Sequence, residues 1–119
     1  MPYLNLDDGY PEHRKVDALS DGAFRLHTSG LCYCAREQTD GFLFDHRVPR
    51  LVPRYRASHL DELTRGENPM WVPVPGGYQI HDYLEWNKSR DWWDEKREKD
   101  AKRLAEWRTK QAGNEGSNA

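Results

Sequence analysis

No stretch of this sequence approaches the ~20 consecutive apolar residues that a membrane-crossing helix requires. Its first residues, MPYLNLDD, combine neither a basic lead-in nor an apolar run, so no secretory signal is expected. Cysteine is nearly absent: Cys32 and Cys34 are the only two, and residues two apart make a geometrically poor disulfide. A soluble cytoplasmic protein with reduced thiols is the expectation. Apolar residues are also few, at 36% against 32% charged, so the core must be small. A chain of 119 residues fits one domain and buries roughly 65% of its unfolded surface. Five Trp and six Tyr supply much of that core, since each large aromatic buries on the order of 150–250 Å².

Catalytic signatures are missing too. No G-x-S-x-G, P-loop or H-E-x-x-H occurs, and the acids are scattered, so no catalytic residue is assigned. The histidines at 13, 27, 46, 59 and 81 show no zinc spacing. Cys32 and Cys34 lie in an apolar helical stretch, where residues two apart face about 200° from each other and cannot easily share one metal. They are read as small buried apolar residues, and neither a metal nor a cofactor is expected. His81-Asp82, within GGYQIHDYLEWNKSR (76–90), is the one suggestive pair. On a strand, neighbouring side chains point to opposite faces, so the two are not expected to meet, and His81 is read as structural.

What is present orders itself into elements. YLNL (3–6) alternates weakly as a short strand, and DDGYPEH (7–13) is turn chemistry. Ser20 is a good N-cap, and Leu19, Ala23, Leu26, Gly30 and Tyr33 recur at three-to-four spacing, predicting a buried helix over about 20–36. Gly30 within it implies a close contact with another helix, since Gly there costs roughly 1 kcal/mol relative to Ala. TDG (39–41) ends that helix and FLF (42–44) is a three-residue strand. HRVPRLV predicts a short helix with Pro49 near its first turn, stopped by Pro53. A second short helix, about 57–65, follows, with Ser58 and Asp61 as a capping box and Gly66 just past its end. MWVPV (70–74) and GYQIHDY (77–83) flank Pro75-Gly76-Gly77 as a hairpin. A final helix over about 89–110 starts from Ser89, and GNEGSNA (113–119) is expected to be a disordered tail. The domain expectation is therefore 1–86, a C-terminal helix 87–112 packing on or projecting from it, and the tail.

Two short helices followed by a hairpin is winged helix-turn-helix order, an α+β fold with a small wing and a long C-terminal helix. The residues in that order are His13, Lys15, Val16, Leu19-Ser20, Ala23-Phe24-Arg25-Leu26, Leu31, Asp40-Gly41-Phe42, Trp71, Gly77-Tyr78, Ile80-His81-Asp82-Tyr83-Leu84, Asn87 and Ser89-Arg90. Over roughly residues 3–100 the set resembles small phage and actinobacterial proteins related to the N-terminal domain of phage replisome organisers and DnaD-like replication initiators. The resemblance implies a winged helix that binds duplex DNA in a bacterial host cell, for phage replication initiation or transcription regulation. Two departures stand out. The wing tip VPVPGGYQ has no Lys or Arg, and GENPMW replaces the family's GLW before the wing.

Charge is uneven. The net is −2, which argues against a generic nucleic-acid coat, and residues 1–86 carry nine Lys and Arg against 13 Asp and Glu. Five arginines nevertheless crowd residues 45–65. Arg54 and Arg56 fall in the turn before the second short helix, the groove-reading one in this architecture, His59 and Arg65 on it, and Arg47 and Arg50 on the helix before. The planar guanidinium fork suits phosphates and guanine edges, so these six are the candidate DNA-binding residues. A solvated surface paired with Asp61 and Glu62 is the alternative for the same arginines. The last helix alternates charge at i,i+3 and i,i+4 as a solvated helix does. Trp93, Leu104 and Trp107 form a thin seam on it, the candidate contact with a second copy or with a host or phage protein. Function thus divides between double-stranded DNA binding and a winged-helix protein-interaction module.

Overall fold

The computed structural model describes residues 3–117. The chain divides after Ser89 into two units. The first is α+β: a principal helix, a three-stranded antiparallel sheet and several short helical segments. The second is one long helix.

Helix α1 (Arg14–Asp17), where the sequence reading placed no element, is a single turn that follows a 3₁₀ turn at Tyr10–Glu12 inside the turn stretch 7–13. Helix α2 (Asp21–Glu37) begins as its sequence predicts, with the Ser20 hydroxyl accepting from the Ala23 N–H at 3.2 Å. Its buried stripe runs through Ala23, Leu26, Gly30, Leu31 and Cys34, and it stops where Gln38 turns left-handed and donates its N–H to Cys34. Strand β1 (Phe42–Phe44) follows. Helix α3 (Ala57–Thr64) begins beyond the next connection, and strands β2 (Trp71–Val74) and β3 (Gly77–Ile80) form the hairpin. The sheet order is β1-β3-β2, with Phe44 and Val74 both opposite Gly77. Gly77 is required there, because a Cβ would lie 1.9 Å from the Leu43 carbonyl oxygen.

Several boundaries differ from the sequence expectation. Residues 3–6 form no strand, and the Asn5 N–H donates to the Asn87 side chain instead of to a ladder. The helix expected over HRVPRLV contracts to one 3₁₀ turn, Val48–Arg50, because Pro49 lacks a donor and Pro53 closes the segment. The capping box of Ser58 with Asp61 does not form. Arg56 occupies the N-cap of α3 without a side-chain bond, while Gly66 takes the expected place past the end, at φ +91°. Strand β3 stops at Ile80 rather than running to Tyr83, and a short helix α4 (Tyr83–Trp86) takes over. Helix α5 (Arg90–Ser117) continues through residues 113–117 of the expected tail, and Asn118 and Ala119 lie outside the described residues.

Trp71 joins the two layers. Its side chain is 0% exposed, and its Nε1–H donates to Nδ1 of His27 on α2 at 2.9 Å. The indole also lies flat enough on α2 that a Cβ at Gly30 would sit 2.7 Å from Cζ2. The close contact that Gly30 implied is therefore with a strand tryptophan rather than with another helix. His27 is itself 5% exposed, and burial pushes its pKa down to about 4. The imidazole is neutral, and because Nδ1 accepts from Trp71, its proton resides on Nε2.

Helix α3 is held to α2 by three contacts. Leu63 is wholly buried, the His59 ring presses on Gly22, and the Glu62 carboxylate accepts from both Ser20 N–H (2.9 Å) and Ser20 Oγ–H (2.6 Å). Those two hydrogen bonds lower the pKa of Glu62.

Trp71→Phe keeps a ring but leaves Nδ1 of His27 unpaired in the core. The expected cost is about 2–4 kcal/mol, measured as a fall in the urea midpoint. Gly30→Ala gains about 1 kcal/mol of helix propensity yet forces the indole outward. Overpacking costs about 1–3 kcal/mol, so the variant should be less stable on balance. Acid acts through His27: the unfolded imidazole takes a proton near pH 6.5, the folded one only near pH 4. Its contribution to stability is complete above pH ~6.5 and falls by about 1.4 kcal/mol per pH unit as pH drops toward 4. His27→Gln, whose carbonyl can still accept from Trp71, should remove that slope when denaturation is compared at pH 7 and pH 5.

Candidate nucleic-acid interface

The connection from β1 to α3 carries most of the arginines, and its apolar residues decide which way they face. Val48 and Val52 are buried, Leu51 half-buried, and these anchors leave Arg50, Arg54 and Arg56 exposed. No carboxylate among the described residues comes within ion-pair distance of these three guanidinium groups. The acids that were the alternative partners are committed elsewhere: Glu62 to Ser20, and Asp61 to Arg65 at 4.0 Å.

The other predicted cations are less available. Arg47 is half-buried and stacks its guanidinium 5.5 Å from the Tyr33 ring centre, a ring that Arg36 also covers at 5.8 Å. His59 is wedged against Gly22, so it fixes the approach of α3 to α2. Arg65 is exposed but shares its charge with Asp61, one turn back. Of the six, then, Arg50, Arg54 and Arg56 are exposed and unpaired on one connection, and the other three have partners. Tyr33 as an arginine platform was not legible in the sequence, where it counted only as part of an apolar stripe.

The hairpin adds no charge to this edge. Pro75 and Gly76 (φ +85°) make its turn, and the Gly76 carbonyl accepts from the Asp45 N–H at 3.0 Å. The tip is thereby tied to the end of β1 and extends no further than its neighbour strand.

His81 and Asp82 require a correction. The strand ends before them, Asp82 adopts φ +61°, and His81 Nε2 lies 3.1 Å from Asp82 Oδ2. The opposite-face argument held for an extended backbone, and the left-handed residue removes its premise. Both side chains are about half exposed, so the pair is a solvent-exposed surface contact. Cys34 is buried, its thiol pushed up to about 11 by burial, whereas Cys32 is exposed. Among the described residues no cluster of three or more His, Cys, Asp or Glu is placed to hold a metal ion, and no helix is long and apolar enough to cross a membrane.

On α5, Lys96–Asp100 (3.0 Å) and Arg97–Asp94 form the charge ladder that its sequence predicts. Of the expected contact residues, Trp93 is buried and meets Trp92 edge-on at 4.8 Å, while Leu104 and Trp107 are 47% and 57% exposed. No protein-family model matches the chain, and no curated protein or solved structure matches it either.

Proposed function

We propose that this chain is a winged-helix protein that binds duplex DNA, gripping the phosphate backbone through Arg50, Arg54 and Arg56. The proposed setting is the one implied by the likeness to phage replisome organisers, replication initiation or transcription regulation. The observation that carries this reading is the run of three exposed guanidinium groups, free of carboxylates, on the connection that enters α3. The sheet order β1-β3-β2, with α2 before it and α3 leading into the hairpin, supports the winged-helix assignment. The exposed face of α3 offers Ser58, Asp61 and Arg65, with Asp61 held to Arg65, so base reading contributes less than phosphate contact.

A second reading is a protein-interaction module. It is favoured by the uncharged, tied-down hairpin tip and by the exposure of Leu104 and Trp107 on α5. One titration separates the two. Three phosphate contacts give a log–log salt slope of about −3 for a labelled duplex between ~50 and ~200 mM salt. Arg54→Ala combined with Arg56→Ala should reduce that slope to about −1 and weaken binding at low salt, with unfolding unaffected because both side chains are exposed. Wild-type affinity in the double variant sinks the assignment of this edge, and no binding at ~50 mM salt transfers the case to the protein partner.

A further inference from the structure

A cleft of about 390 Å³ opens within the first unit, and none of Arg50, Arg54 and Arg56 lines it. The N-terminal segment, α2 and the β3–α4 junction form its walls. Val16, Leu31, Ile80 and Tyr83 give it an apolar lining. Two polar residues interrupt that lining, and both are more than nine-tenths buried: His27 at 5% exposed and Asn87 at 8%.

Each spends its acceptor inside the protein and keeps a donor. His27 Nδ1 accepts from Trp71, which leaves Nε2–H. Asn87 Oδ1 accepts from the Asn5 N–H at 2.8 Å, which settles the amide orientation and leaves Nδ2–H₂. Neither remaining donor has an acceptor among the described residues, and neither is sealed from solvent. Both donors are open to water in the cleft, and a ligand that displaces that water must supply an acceptor in its place. Lys15 and His13 also line the cleft, the Lys15 ammonium donating to the Asn68 carbonyl at 3.4 Å. Asp7 and Asp82 are the opposing charges in the lining, Asp82 lying 3.1 Å from His81 Nε2.

We infer that the cleft binds a small molecule with an apolar body and a carboxylate. The carboxylate is the acceptor for the His27 and Asn87 N–H groups, and the body lies on Leu31 and Ile80. The volume falls in the range of small-ligand sites, and hydrogen bonds to an ionised acceptor are about twice as strong as neutral ones. This site is independent of the proposed DNA edge: it shares no residue with Arg50, Arg54 or Arg56.

The test uses the intact chain, labelled for NMR and titrated with 3-phenylpropionate and, separately, with 3-phenylpropanol. The carboxylate should shift the Trp71 indole N–H, which reports on His27, together with the amides of His27 and Asn87. It should bind at least ~10-fold more tightly than the alcohol, the effect of one hydrogen bond to a charged group. Asn87→Asp keeps the acceptor for Asn5, removes the donor and adds a negative charge, and should weaken the carboxylate by a further ~10-fold or more. Equal affinity for acid and alcohol, shifts confined to residues outside the cleft, or no shift at ~10 mM ligand overturns the inference. The wild-type comparison decides the matter even where the variant fails to fold.

Discussion

One buried hydrogen bond, from the Trp71 indole to the His27 imidazole, links the sheet to the principal helix. It works only because three local choices agree. Gly30 leaves room for the indole, His27 lies one turn earlier on the same face, and burial keeps the imidazole neutral so that Nδ1 can accept. A small core with few aliphatic residues relies on such a contact, because the indole supplies both area and direction. At roughly 25 cal/mol per Å², burying a tryptophan stabilises the fold by on the order of 4–6 kcal/mol, and the hydrogen bond fixes its rotation. The same pairing constrains what His27 can do elsewhere: with one nitrogen committed, the other is a donor toward the cleft.

The arginine edge depends on that scaffold indirectly. Packing of α3 on α2 places the Glu62 carboxylate on Ser20 and the His59 ring against Gly22. With Glu62 bonded to Ser20, no carboxylate among the described residues is within ion-pair distance of Arg50, Arg54 or Arg56. The protein as a whole is slightly acidic, so this edge is a local departure from the field around it. What distinguishes it is the commitment of Glu62 and Asp61 to other partners rather than the number of arginines. Arg47 illustrates the converse: its charge is present, but its guanidinium is stacked on Tyr33.

Much of the fold was legible where short-range chemistry governs. The Ser20 cap, the apolar period of α2, the Pro-Gly turn of the hairpin and Gly66 beyond α3 each express a local backbone or hydrogen-bond preference. Errors arose where a few residues had to choose between elements. YLNL alternates like a strand, yet its backbone donor finds a side chain across the fold. HRVPRLV has helical composition, but two prolines leave space for only one turn. The expected strand over 77–83 broke at Asp82, whose left-handed backbone cannot continue a ladder and brings His81 and Asp82 together.

The sequence by itself determined where α2, α3 and α5 begin and where the hairpin turns, which residues carry charge, and that five arginines lie within a short segment. These follow from the 3.6-residue period, from the φ preferences of Gly and Pro, and from simple composition, all of which act over a few residues. Tertiary structure alone decided the partners: Trp71 with His27 across 44 positions, Asn5 with Asn87 across 82, Glu62 with Ser20 across 42. The reason is physical. A side chain's hydrogen-bonding capacity is intrinsic, but which group meets it is set only when the chain closes on itself. Closure therefore sorts identical arginines into those that are bound and those left to face solvent.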